Sequence, residues 1–161
     1  MLTVKIICMG KIKEKFFQAA IDEYSKRLSG YCKIEIAEIP EVKFSSDSAP
    51  RAEIDAALKK EATLILSKIP ERAKVVALCV EGREMPTEKF AQYIADAAVS
   101  GASTVCFVIG SSYGLCEDVK KRADLRLSFS QMTFPHQLMR VVLAEQIYRA
   151  FKINSGETYH K

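Results

Sequence analysis

The residues whose types and spacing can do chemistry lie mostly in the second half of the chain. GSSYG, residues 110–114, follows an apolar run. Glycines there let the backbone approach a ligand and offer bare N–H groups, or simply make a tight strand-to-helix turn. His136 follows Pro135 at the start of a helical pattern, where the positive end of the helix dipole favours a neutral imidazole. It can serve as a base, a hydrogen-bond donor or a local cap. Cys116 has no base beside it in sequence, so it reads as a packing residue rather than a nucleophile. Arg140 falls in the middle of a broad apolar arc. If buried it needs a partner, and otherwise its stem must snorkel to the surface. Tyr159, His160 and Lys161 close a polar segment that by position alone reads as a loose tail.

Other chemistries are not signalled. There is no GxxxxGK[ST] phosphate loop, no GxGxxG after a strand and no GxSxG. With only two histidines and no Cys/His cluster at ligand spacing, no metal site is expected. Five cysteines are an odd number without a CxxC, and they read as reduced thiols of a cytoplasmic protein.

The elements that must position these residues follow from periodicity. Residues 2–9, 33–39, 74–80, 104–109 and 125–129 read as strands. Residues 14–28, 50–67, 87–100, 117–123 and 136–151 read as helices. Pro50 is placed in the first turn of its helix and Gly82 is read as a strand breaker. The runs KVVALCV and TVCFVI are apolar throughout, as in strands buried on both faces. Alternation of strands and helices predicts an α/β fold, a mostly parallel sheet with helices on both faces. In such sheets ligands sit beyond the carboxyl ends of the strands, so the loops at 80–86, 110–114 and 130–135 should converge.

Length and composition agree. The 161 residues make one domain, residues 1–161, able to bury about 70% of its unfolded surface. At 48% hydrophobic and 27% charged the chain is ordinary globular protein, which excludes disorder and coiled coil. No apolar run reaches the ~20 residues of a membrane span, and no signal peptide is read at the start. Residues 119–161 carry 8 basic and 3 acidic groups, a charge of +5 that suits a phosphate-bearing partner. The apolar arc of the last helix, around Met139, Leu143 and Ile147, predicts burial on two sides, by its own core and by a second subunit.

The run SFSQMTFPHQLMRVVLAEQIYRAF at 128–151, followed by Tyr159, His160 and Lys161, resembles the type H family of ribosomal large-subunit pseudouridine N3-methyltransferases, which belong to the SPOUT class. VKIICMGKIK near the start, EIP at 38–40, LCVEG at 78–82 and VIG at 108–110 extend the similarity along the whole chain. The resemblance implies an S-adenosylmethionine-dependent homodimer with a trefoil-knotted C-terminal part. The implied substrate is a pseudouridine in the helix 69 loop of 23S rRNA within the assembled ribosome. Matching positions place the methyl donor against Leu78, Gly110, Phe129, Ser130, Gln131, Met132, Thr133 and Phe134, and place Tyr159 and His160 at the active site, with His136 a further candidate. Where the family usually has two glycines this chain has Gly110 and Ser111. Two other functions fit the residues alone: a non-catalytic RNA- or ribosome-binding protein using the basic C-terminal segment, or an α/β enzyme taking a nucleotide or phosphorylated small molecule at GSSYG.

Overall fold

The computed structural model describes residues 1–44 and 46–160; Ser45 and Lys161 lie outside the described residues. Five strands, β1 (Thr3–Met9), β2 (Lys33–Ile39), β3 (Lys74–Arg83), β4 (Thr104–Ile109) and β5 (Leu125–Leu127), form one sheet in the order β2-β1-β4-β3-β5. Every pairing is parallel. Five helices connect and follow them: α1 (Lys15–Leu28), α2 (Arg51–Ser67), α3 (Thr87–Val99), α4 (Glu117–Arg122) and α5 (His136–Asn154).

β4 lies at the centre of the sheet and all six of its residues are buried, as its unbroken apolar sequence requires. Each strand face then builds its own core. Val4, Ile6, Val105 and Phe107 point to the side covered by α1, α3 and α5, where Leu28 of α1, Ile94 of α3 and Leu143 and Ile147 of α5 join their cluster. Ile7, Val75, Cys106 and Val108 point to the other side, where Ala62 and Ile65 of α2 and Val119 of α4 cover them. The α/β fold with helices on both faces is therefore the observed one.

Three expectations change. β3 does not stop before Gly82. It is doubly buried only from Val75 to Ala77, then emerges and runs on to Arg83. Leu127 of β5 pairs first with Leu78 and again with Arg83, so the end of β3 bends around it. A Cβ on Gly82 would stand 2.8 Å from the carbonyl carbons of both Arg126 and Leu127, so glycine here permits a backbone crossing rather than a break. Pro50 caps α2 from an extended conformation (ψ 152°) and precedes its first turn.

The third change concerns α5. Its wide apolar arc is covered within the chain, because α5 lies against the sheet between α1 and α3. Leu143, Ile147 and Ala150 are completely buried there. Val142, Tyr148 and Phe151 of α5 remain only partly buried. Arg140 is buried with 1% of its surface exposed, which excludes snorkelling. Its Nη1 donates to Glu38 at 2.9 Å, and its Nη2 donates to the carbonyls of Met9 at 2.7 Å and Gly10 at 2.6 Å. One guanidinium so fastens the start of α5 to the carboxyl ends of β1 and β2.

Candidate active site

Because β4, β3 and β5 are neighbours, the loops leaving their carboxyl ends meet. They enclose a cavity of about 320 Å³. Leu78, Ile109, Leu127 and Met139 give it apolar walls, and Ser111, Ser112, Ser130 and Thr133 bring hydroxyls. Of the residues expected at a ligand, Leu78, Gly110, Phe129, Ser130, Met132, Thr133, Phe134 and His136 line this cavity. Gln131 is exposed and outside the lining. Met132 and Phe134 stand at the mouth, 75% and 39% exposed, an unusual exposure for large apolar side chains.

The 110–114 loop is a tight turn. Gly114 adopts φ +86°, and its N–H donates to the Ser111 carbonyl at 2.9 Å. A Cβ on Gly110 would lie 2.7 Å from the Gly114 carbonyl carbon and 3.0 Å from Leu115 Cγ. Gly110 is therefore required by its own loop doubling back, and a valine there would strike that loop before any ligand. The loop is held from below by Glu61 of α2, which is buried. The Glu61 carboxylate accepts hydrogen bonds from the Ser111 hydroxyl and the Val42 backbone, while burial, the larger effect, raises its pKa. Glu61 was not among the residues expected from sequence. The signal was present: Ala57, Glu61 and Ile65 share one buried stripe of α2, and a carboxylate in such a stripe needs a reason.

The 128–134 loop is also self-supporting. The Ser128 hydroxyl donates to the Ser130 carbonyl at 3.0 Å, and the Met132 N–H donates to the Ser130 hydroxyl at 3.0 Å. Ser128 N–H reaches back to the Arg83 carbonyl at 3.0 Å. Among the described residues the one lysine or arginine lining the cavity, Lys120, is paired with Glu81. Hydrogen bonding in this pair raises the lysine's pKa and lowers the glutamate's. His136 Nε2 lies 3.2 Å from Glu41 Oε1 rather than capping α5, whose N-cap is Pro135. The buried thiols of Cys8, Cys32 and Cys106 are pushed up to about 11 by burial, so they are poor nucleophiles. Cys116 is half-buried and packs against the α2/α4 side of the core.

Tyr159 and His160 lie elsewhere, and they are not a loose tail. The Tyr159 ring meets Tyr148 edge-on at 5.1 Å and carries the Arg149 guanidinium 4.7 Å from its centroid. His160 Nε2 lies 2.9 Å from Glu88 Oε1 and Nδ1 lies 3.3 Å from Arg149. Tyr148 and Arg149 stand 12 and 13 residues beyond His136 on α5, roughly 18 Å along its axis. One chain therefore gathers the loop residues and His136 but not the tail residues. The basic C-terminal segment is likewise not a free patch: Arg140, Arg149, Lys152, Lys120 and Arg122 are paired with Glu38, Glu145, Glu157, Glu81 and Asp124.

Comparison with known proteins fits this geometry. The family model described as "Predicted SPOUT methyltransferase" matches residues 2–160. The chain belongs to the SPOUT methyltransferase family. Among relatives of this SPOUT methyltransferase, ribosomal RNA large subunit methyltransferase H 1 of Clostridium perfringens (strain SM101 / Type A) is 51% identical over 160 residues, 99% of this chain and 100% of the relative. Ribosomal RNA large subunit methyltransferase H of Clostridioides difficile (strain 630) is 48% identical over the same shares. The fold also matches the solved structure of a probable methylase family protein from Haemophilus influenzae Rd KW20, with a TM-score of 0.54, 11% identity, and coverage of 98% of this chain and 70% of that one.

Proposed function

We propose that this SPOUT methyltransferase transfers a methyl group from S-adenosylmethionine to N3 of a pseudouridine in the helix 69 loop of 23S rRNA, on the assembled ribosome in the cytoplasm. The observation that carries the reading is the single cavity built by the three carboxyl-end loops, in a chain about half identical over its full length to named ribosomal RNA methyltransferases.

The cavity suits the donor. Its volume of about 320 Å³ lies within the usual range for small-molecule sites. Leu78, Ile109 and Leu127 offer apolar walls to an adenine, and the 110–114 and 128–134 loops offer backbone and hydroxyl partners to a ribose and an amino-acid group. Pairing of Lys120 with Glu81 leaves no unpaired lysine or arginine among the described residues that line the cavity, which suits a sulfonium cation. The bound donor supplies an electrophilic methyl carbon. The protein supplies position: stiff loops fix the approach line, and orientation of this kind carries most of the acceleration in such a displacement. The N3 proton of the target must leave, and His136, at the cavity with Glu41 behind it, His160, or water accepts it.

Tyr159 and His160 fit the reading in a homodimer, with the tail of one protomer completing the cavity of its partner. Their distance from their own cavity and the exposed apolar mouth, Met132 and Phe134, support this arrangement. The bend of β3 around Leu127 likewise supports a knotted C-terminal part. Calorimetry with S-adenosylmethionine and its demethylated product, together with sedimentation, tests the reading. It expects both ligands to bind and a dimer at micromolar concentration. Absence of binding would overturn the donor assignment, and a monomer would overturn the shared site.

A further inference from the structure

The carboxyl edge of the sheet carries more than the cavity. β1 is the immediate neighbour of β4, so the loop between β1 and α1 leaves that edge beside the 110–114 turn. Lys11, Lys13 and Lys15 lie in and just beyond it, all exposed, and none forms an ion pair among the described residues. Phe16 follows with 67% of its surface exposed, although α1 has a buried side where Ile21 and Leu28 pack. The loop has a fixed position. Gln137, the residue after His136, accepts from the Lys13 N–H at 3.2 Å and donates to the Lys11 carbonyl at 3.5 Å. A Cβ on Gly10 would touch Glu41, the partner of His136. The backbone that carries Lys11 and Lys13 is thus held beside His136 at the rim of the cavity, and Lys15 and Phe16, whose ring meets Phe17 at 4.5 Å, follow in the first turn of α1.

This contrasts with the C-terminal segment, whose cations are mostly neutralised by carboxylates. Free cations interleaved with an exposed ring match single-stranded RNA, with phosphates for the lysines and a base face for the ring. We propose that Lys11, Lys13, Lys15 and Phe16 form the RNA-docking surface of this enzyme, holding nucleotides that flank the one entering the cavity. This rests on the methyltransferase reading and adds where the substrate lies.

The test uses the full-length protein and assembled ribosomes lacking the modification, with binding measured across a salt series. Replacing all three lysines by glutamine should weaken binding roughly tenfold or more near physiological salt. It should also flatten the slope of log K against log salt by about two, because each phosphate contact contributes somewhat less than one. Phe16→Ala should weaken binding roughly fivefold or more. A charge-matched control replaces Lys59, Lys60 and Lys68, exposed on or just after α2, and should bind as wild type. Both lysine variants should keep wild-type S-adenosylmethionine affinity and melting temperature. The loop variant should raise KM for ribosomes and leave kcat nearly unchanged. Equal weakening by loop and control variants, or none by either, overturns the proposal while wild-type methyl transfer keeps the catalytic reading intact. Failure of wild type to transfer methyl groups overturns that reading whatever the lysines do.

Discussion

Replacing Arg140 by methionine isolates what its guanidinium does, since the stem volume is nearly kept. The substitution removes three charge-assisted hydrogen bonds, to Glu38, Met9 and Gly10. Bonds of this kind contribute about 1.5–3 kcal/mol each, net of exchange with water, where the charged group is not deeply buried. Burying the guanidinium costs several kcal/mol, and its Nε is buried without a partner, so the sum must be cut sharply. Losing one partner of a buried pair typically costs 3–5 kcal/mol. Glu38 is 39% exposed and rehydrates, which favours the lower end, about 3 kcal/mol. For a chain of this size that is a fall in Tm of roughly 6–12 °C. Glu38→Gln, which keeps both carbonyl bonds, should cost about 1 kcal/mol. Urea and thermal unfolding followed by circular dichroism measure both. If Arg140→Met unfolds within 1 kcal/mol of wild type, or if Glu38→Gln costs as much, the two carbonyls are not what the arginine holds, and the fastening of α5 to β1 is wrong.

Gly82→Ala forces a Cβ to within 2.8 Å of the β5 backbone and should cost roughly 1–3 kcal/mol and weaken donor binding; unchanged melting and calorimetry would show that the crossing has slack. Glu61 has a raised pKa, so the folded protein binds more protons than the unfolded one between the ordinary glutamate value and the raised one, and stability falls as pH rises through that window. Glu61→Gln should remove that slope in pH-dependent unfolding and loosen the 110–114 loop; an identical pH profile would refute the burial argument. Tyr159→Ala loses an aromatic pair and a cation–π contact, about 1–2 kcal/mol together, and should also cut methylation with little change in donor affinity. Normal turnover by this variant and by His160→Ala would remove the tail from the active site.

Much of the scaffold was legible because burial has a period. β2 and β4 begin and end where the alternating and unbroken apolar runs do, and the loops after β3, β4 and β5 meet as a parallel sheet dictates. What a pattern of apolar residues reports is that a face is covered, not by what. In the α5 arc, Met139, Leu143 and Ile147 are covered by the sheet, α1 and α3 of the same chain, while Val142, Tyr148 and Phe151 stay partly buried. Charge counting sees sign and not pairing, so it pointed to the C-terminal segment, where five cations meet carboxylates, and passed over the free lysines after β1. Gly82 reads as a breaker in one dimension and is a crossing in three. Glu61 was visible as a charge in a buried helical stripe, but its partner Ser111 lies 50 residues away and only the fold brings them together.

Methyl transfer to one base is decided by analysis of the product. The full-length protein is incubated with methyl-labelled S-adenosylmethionine and ribosomes lacking the modification, and the 23S rRNA is digested to nucleosides for mass spectrometry. One labelled nucleoside is expected, a pseudouridine methylated at N3, mapping to the helix 69 loop. Label at another base, or none in RNA while the donor binds, would contradict it.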